Sequence, residues 1–145
     1  MLELVIVVAI IAILAAMGIP RMSRGARGAS DSALGGDLAT LRNAIDLYAT
    51  EHVGVYPAAD EIADQLTKYT NAGGTTNATK TTDFIYGPYL RAIPPLSVGA
   101  KRGKTGIAAV DGADVGWIYD AKEGTIRANT TDAETDETGK AYKTY

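Results

Sequence analysis

Enzymatic chemistry needs a nucleophile, an acid–base group or a metal-ligand set, and this sequence offers few of them. His52 is the only histidine and there is no cysteine. No Cys–His or paired-imidazole arrangement is possible, and no serine stands in a nucleophile-elbow context. At the end of a helical pattern His52 reads as a capping or surface residue. Asp111, Asp114 and Asp120 come nearest to a cation cluster, but their spacing matches no calcium loop. Gly73-Gly74 reads as a plain turn rather than a phosphate loop. Lys101, Arg102 and Lys104 form a basic loop whose three charges would give only weak, salt-sensitive phosphate contact. Net charge is −3, too weak to argue for nucleic acid. Asn77-Ala78-Thr79 and Asn129-Thr130-Thr131 have the N-glycosylation spacing; the motif is short, and an unmodified asparagine is the default at Asn77 and Asn129. The sequence therefore predicts no enzyme, no catalytic residue, no cofactor and no metal.

One titratable group stands out by its surroundings. Glu3 precedes sixteen uncharged residues, Leu4 to Ile19, and Pro20 closes the run. At about 1.5 Å per residue this helix covers most of the roughly 30 Å hydrocarbon core of a bilayer. It suits either a marginal membrane span or the core helix of an assembly. A carboxylate there is costly in lipid unless it is paired or reaches the interface. A secretory signal would place Lys or Arg in that position and would end in a small-residue cleavage site. Two readings stay open: an anchor whose Glu3 reaches the headgroups, or a helix whose Glu3 meets a positive partner from another subunit.

The rest of the chain must position this segment. Of 145 residues, positions 1–20 form the apolar helix segment, 21–54 an amphipathic continuation of it, and 55–145 a globular head with a loop region and an antiparallel sheet. Beyond Pro20, Arg21, Arg24 and Arg27 make a basic stripe, suited to acidic groups on neighbouring copies or to headgroups. Gly18, Gly25, Gly28, Gly35 and Gly36 are many glycines for a helix, each costing up to about 1 kcal/mol against alanine; they would let neighbouring helices approach closely. Gly18 with Pro20 is the place where the helix is easiest to break. Leu34, Leu38, Leu41, Ile45 and Tyr48, spaced 4, 3, 4, 3, form a stripe facing one core. The helix is expected to end near Val53-Gly54, with Gly54 as its stop and Pro57 beyond. A helix from residue 1 to 53 would be about 80 Å long, so half of it must project and be covered by something else.

In the head, Ala59 to Tyr69 reads as a second helix and Asn71 to Asp83 as an exposed polar loop. Phe84, Tyr86 and Tyr89 are expected to anchor a crossing segment. Thr105–Val110, Val115–Tyr119 and Thr125–Ala128 read as strands, with hairpin turns at Asp111-Gly112 and Lys122-Glu123-Gly124. The polar C-terminal stretch reads as a surface tail or as a loop docked on a neighbouring copy through Tyr142 and Tyr145. Without cysteines there are no disulfides, so packing and assembly must supply stability.

The segment ELVIVVAIIAILAAMGIP closely resembles the N-termini of type IV pilins and of the pseudopilins of type II secretion. In that family a glutamate opens a long apolar helix and a proline follows, as Glu3 and Pro20 do here. The resemblance implies an α+β, pilin-like fold, with a long N-terminal α-helix packed on a small C-terminal antiparallel β-sheet. It implies residence in a bacterial inner membrane, processing by a prepilin peptidase, and transfer by an assembly machine into a homo-oligomeric helical filament. Leu4, Val5, Val8, Ile11 and Leu14 would fill the filament core. Glu3 would pair with a neighbour's N-terminal amine, and helicity would be lost around Gly18 and Pro20 on assembly. Two mature residues and a basic leader would precede Met1. YGPYLRAIPPL and GWIYDAKEGTIRANT resemble, less sharply, the head of the major pseudopilin, whose calcium loop is not matched. Three expectations follow: a major subunit of an extracellular pilus, a periplasmic pseudopilus subunit, or a membrane-anchored minor pilin acting as a binding module, with a patch at Lys101–Lys104.

Overall fold

The computed structural model describes residues 2–145, and the side chains of all of these except 16–24. The chain folds as α+β. Helix α1 spans Leu2–Glu51 and α2 spans Ile62–Thr67. The strands are β1 (Tyr69–Thr70), β2 (Thr76–Asn77), β3 (Gly106–Ala108), β4 (Val115–Asp120) and β5 (Thr125–Ala128), followed by a single 3-10 turn, Tyr142–Thr144.

The helical stripe read from the sequence is the axis of the core. Leu34, Leu38, Leu41, Ile45 and Tyr48 are all buried, and they pack with Ile62 and Leu66 of α2, Leu96, Val98, and Trp117, Tyr119, Ile126 and Ala128 of the sheet. Along β4 and β5 the inward residues alternate with Ile118, Thr125 and Arg127 on the outer face, as period-two geometry requires. The two largest core aromatics satisfy their polar tips: Trp117 Nε1 donates to Pro94 O at 2.9 Å and Tyr119 Oη to Pro57 O at 3.0 Å. Burying each ring without that bond would forfeit part of the gain.

The sheet departs from the expected all-antiparallel form. β4 and β5 are antiparallel, joined through the expected turn, where Gly124 has φ 66° and Asp120 Oδ1 accepts from the Lys122 and Glu123 amides. β3, however, runs parallel to β4, with Gly106 opposite Val115 and Ile107 opposite Trp117. Asp111-Gly112 is thus not a hairpin turn; residues 109–114 carry the chain back to the start of β4. Two glycines make this possible. A Cβ on Gly106 would lie 2.5 Å from Asp114 O, and one on Gly116 would overlap the Lys104 carbonyl. Lys101 and Lys104 hold the returning loop through Asp111 at 3.1 Å and Asp114 at 2.6 Å.

Three further boundaries differ. The second helix covers only Ile62–Thr67, because Lys68 turns extended and Tyr69–Thr70 enters a small antiparallel pair with β2 inside the expected polar loop. Thr70 also bridges Tyr86, and Leu66 O accepts from the amides of Tyr89 and Leu90 at 3.0 and 2.9 Å. This pins the crossing segment where Phe84, Tyr86 and Tyr89 were expected to anchor it. At the end of α1 the left-handed turn begins one residue earlier than expected: Val53 has φ 56° and Gly54 φ 83°, and Gly54 N donates to Ala49 O at 2.7 Å. Five residues back from the donor, this is the long bond of a Schellman-type stop, with a β-branched residue where glycine is usual.

The C-terminal stretch docks on the chain's own helix. Tyr142 Oη donates to Asp31 Oδ1 at 2.8 Å, and Arg42 donates to Tyr145 O at 2.6 Å. Ser97 Oγ adds a bond to Ser30 O at 3.0 Å. The head is therefore fastened to α1 from Ser30 onward, and among the described side chains the first fully buried one in the helix is Leu34.

Candidate functional site

Residues 2–15 of α1 are exposed on every side of the helix. Leu4 is 69% exposed, Val5 63%, Val8 56%, Ile11 59% and Leu14 63%, and the intervening Ile6, Val7, Ile10 and Ile13 all exceed half exposure. No polar face interrupts them. A helix apolar all round is one that ends buried in a larger assembly or in lipid. Covering one such side chain gains about 1.5–3 kcal/mol, so the segment carries a driving force on the order of tens of kcal/mol that the single chain leaves unused. Among the described residues no helix is long and apolar enough to cross a membrane.

Glu3 sits at the exposed start of this segment, in the first turn of α1, and has no cation within ion-pair distance among the described residues. A carboxylate in the first turn is favoured by the helix dipole, but that gain is small beside the cost of desolvating it unpaired. Gly18 and Pro20 fall within residues 16–24, outside the described residues, as do Arg21 and Arg24; the break expected at Gly18–Pro20 lies there too. Gly25, Gly28, Gly35 and Gly36 are within the described helix. A Cβ on any of them would meet nothing within 4 Å. Packing among the described residues of one chain gives no reason for these glycines.

The other residues singled out in the sequence take structural roles. His52 is a correction: it is neither a surface residue nor a simple cap but 4% exposed, stacked on Tyr48 at 3.8 Å. Its Nδ1 lies 2.9 Å from Tyr48 O and its Nε2 lies 3.0 Å from Asn71 O and 3.2 Å from Thr70 Oγ1. It joins the end of α1 to the β1–β2 pair. Tyr89, edge-on to Tyr48, donates to Glu51 at 2.6 Å, and burial, with that bond second, pushes its phenol well above the usual range. Burial raises the Asp37 carboxyl as well.

Asp111, Asp114 and Asp120 do not converge. The first two are held below the ordinary aspartate range, Asp111 first by the Asn129 amide and Asp114 first by Lys104. Among the described residues no group of three or more His, Asp or Glu side chains is placed to hold a metal ion. In the basic loop, Lys101 and Lys104 are spent on these aspartates. Asn77 accepts from Thr79 N and Oγ1 at 3.1 and 3.2 Å. Asn129 Nδ2, the atom a sugar would join, donates to Asp111 Oδ1 and Val115 O, each at 2.7 Å.

Sequence reasoning missed the clip between Tyr142 and Asp31, and it missed the outer face of the sheet. Two shallow grooves, of about 690 and 480 Å³, share Ala109, Ile118, Arg127 and Lys143. The signal was present in the alternation of β5, which sends Arg127 outward. No family model, curated protein or solved structure matches the chain.

Proposed function

We propose that this protein is the structural subunit of a type IV pilus-like filament, held by its apolar helix in a bacterial inner membrane and then transferred into a bundle of like helices. The observation that carries the reading is the uncovered apolar surface of Leu2–Leu14, with Glu3 at its start. A lipid bilayer and a bundle of copies are the two environments that accept such a surface. The glycines of α1 that touch nothing in one chain suit close approach of a second helix. Head-to-tail contacts that do not close into a ring generate a filament. Prepilin peptidase and a membrane-bound assembly machine belong to this proposal through the resemblance of residues 3–20.

Within it, Leu4, Val5, Val8, Ile11 and Leu14 supply nonpolar contact. Glu3 fixes axial register by pairing with the N-terminal amine of a neighbouring copy. A desolvated pair adds little net stability, but removing one partner costs about 3–5 kcal/mol. Glu3→Gln should therefore give a folded, membrane-resident subunit and few filaments. Normal filament yield from Glu3→Gln and Glu3→Ala would refute the register role.

A further inference from the structure

The pair Asp111-Gly112 carries hairpin chemistry that the fold does not use for a hairpin. It stands in the return from β3 to β4, where Asp111 and Ala113 are exposed. Packing favours glycine at 112, since a Cβ there would lie 3.1 Å from Val115 Cγ2. An aspartate followed by glycine is chemically vulnerable. With no side chain to shield it, the Gly112 nitrogen can attack the carboxyl carbon of Asp111. The N–Cγ bond forms, the amide proton and the carboxyl OH leave as water, and the product is a cyclic succinimide. Water then opens the ring. Cleavage of the N–Cγ bond restores aspartate. Cleavage between the nitrogen and the main-chain carbonyl carbon gives isoaspartate, whose main chain runs through Cβ and Cγ and is one carbon longer.

Two contacts oppose the ring closure. The step needs a neutral carboxyl, because a carboxylate is a poor electrophile. Asn129 Nδ2 donates to Asp111 Oδ1 at 2.7 Å, and Lys101 Nζ lies 3.1 Å from the same oxygen. Both favour the ionised form, and the Asp111 carboxyl is held below its ordinary range, first by Asn129 and next by Lys101. The step also needs the Gly112 peptide to rotate its nitrogen toward Cγ. Lys101 Nζ donates to Gly112 O at 2.7 Å and Val115 N donates to the same carbonyl at 3.3 Å, so that peptide is pinned. Of the other charged groups around this loop, Lys104 pairs with Asp114 at 2.6 Å and Lys143 with Asp132 at 2.5 Å. Glu134 accepts from the Thr131 and Ala100 amides, and Arg127 adds a positive charge to the groove.

We propose that Asp111-Gly112 is a site of spontaneous isoaspartate formation, and that Lys101 and Asn129 hold it in check. What they protect is the parallel pairing of β3 with β4. Gly106 N bonds to Asp114 O at 3.0 Å, and an extra main-chain carbon just before Asp114 disturbs that register. The inference concerns the head alone and stands whether or not the chain polymerises. The experiment ages the full chain, in a nonionic detergent, across about pH 4 to pH 8. Isoaspartate at position 111 is read by electron-transfer mass spectrometry. The parent should isomerise slowly when folded and several-fold faster when unfolded in denaturant. Lys101→Gln and Asn129→Ala should isomerise several-fold faster than the parent near neutral pH when folded, and equally fast when unfolded. Their rates should also fall off at a higher pH than the parent's, because more of the carboxyl is neutral at any given pH. Lys101→Arg, which keeps the charge, should behave as the parent does. Folded variants no faster than the parent would overturn the proposal, as would a rate increase with no displacement of the pH profile, the mark of a loop that is merely loosened. So would an unfolded parent that forms no isoaspartate, or a folded parent that forms it as fast as the unfolded chain.

Discussion

Gly106→Ala tests a feature of the head that the sequence pattern places wrongly, the parallel pairing of β3 with β4. Gly106 N donates to Asp114 O at 3.0 Å, and a Cβ on Gly106 would lie 2.5 Å from that same oxygen, with Asp114 C at 3.1 Å. Heavy atoms in good contact lie about 3.5–4.0 Å apart, so the methyl group needs a displacement of about 1 Å. What must move is backbone, not the end of a flexible side chain. Forcing such a shift into a packed region costs about 1–3 kcal/mol, and loss of the β3–β4 pairing places this site at the upper end. For a chain of this size that lowers Tm by about 10 °C. The assay is thermal unfolding of the full chain in detergent, followed by the near-ultraviolet signal of buried Trp117. Gly25→Ala is the matched control: its Cβ would meet nothing within 4 Å, so it should leave Tm unchanged or raise it slightly. In an antiparallel hairpin turning at Asp111-Gly112, Gly106 would lie away from Asp114 and alanine would be tolerated. A Gly106→Ala protein as stable as the parent would therefore refute the parallel pairing.

Val53 is 95% exposed and held at φ 56°, so Val53→Gly should raise stability by about 1 kcal/mol by relieving the left-handed strain; a lower unfolding midpoint would contradict the Schellman-type stop. Leu41→Ala, at a fully buried position facing the sheet, should cost about 2–5 kcal/mol, read from chemical denaturation; a loss below 1 kcal/mol would argue against the α1–sheet core. Tyr142→Phe removes the bond to Asp31 and should speed amide exchange in residues 131–145 while the core strands stay protected; unchanged exchange would show that the tail does not depend on this clip. Glu134 is held below its ordinary value first by the Thr131 amide and then by that of Ala100, so its contribution is complete above the unfolded glutamate pKa and is lost as pH falls through the lower folded value. Below about pH 4 the parent should lose stability faster than Glu134→Gln, and parallel acid profiles would contradict the assignment.

Local periodicity carried much of the fold. The 4-3-4-3 spacing from Leu34 to Tyr48 found the buried face of α1, and the alternation around Trp117 and Tyr119 found the inner face of β4. The errors came where a long-range contact overrode a local pattern. Asp111-Gly112 has hairpin chemistry, yet the close approach permitted at Gly106 and Gly116 turns β3 parallel to β4. The helical pattern of residues 59–69 is cut at Lys68 because Tyr69 and Thr70 find strand partners in β2. His52 was misplaced because its partners, Asn71 and Thr70, are nearly twenty residues away. The candidate assembly segment was legible as composition, an unbroken apolar run behind one glutamate. Its register with other copies is a property of several chains and cannot be written in the periodicity of one.

We propose that other copies of this chain cover the exposed helix of Leu2–Leu14. Electron microscopy of filaments sheared from the cell surface, with mass spectrometry of their protein, tests it most directly. Long filaments built mainly of this chain are the expected result. Surface filaments that lack it, with the protein retained in the cell envelope, would show that copies of the chain do not cover the helix.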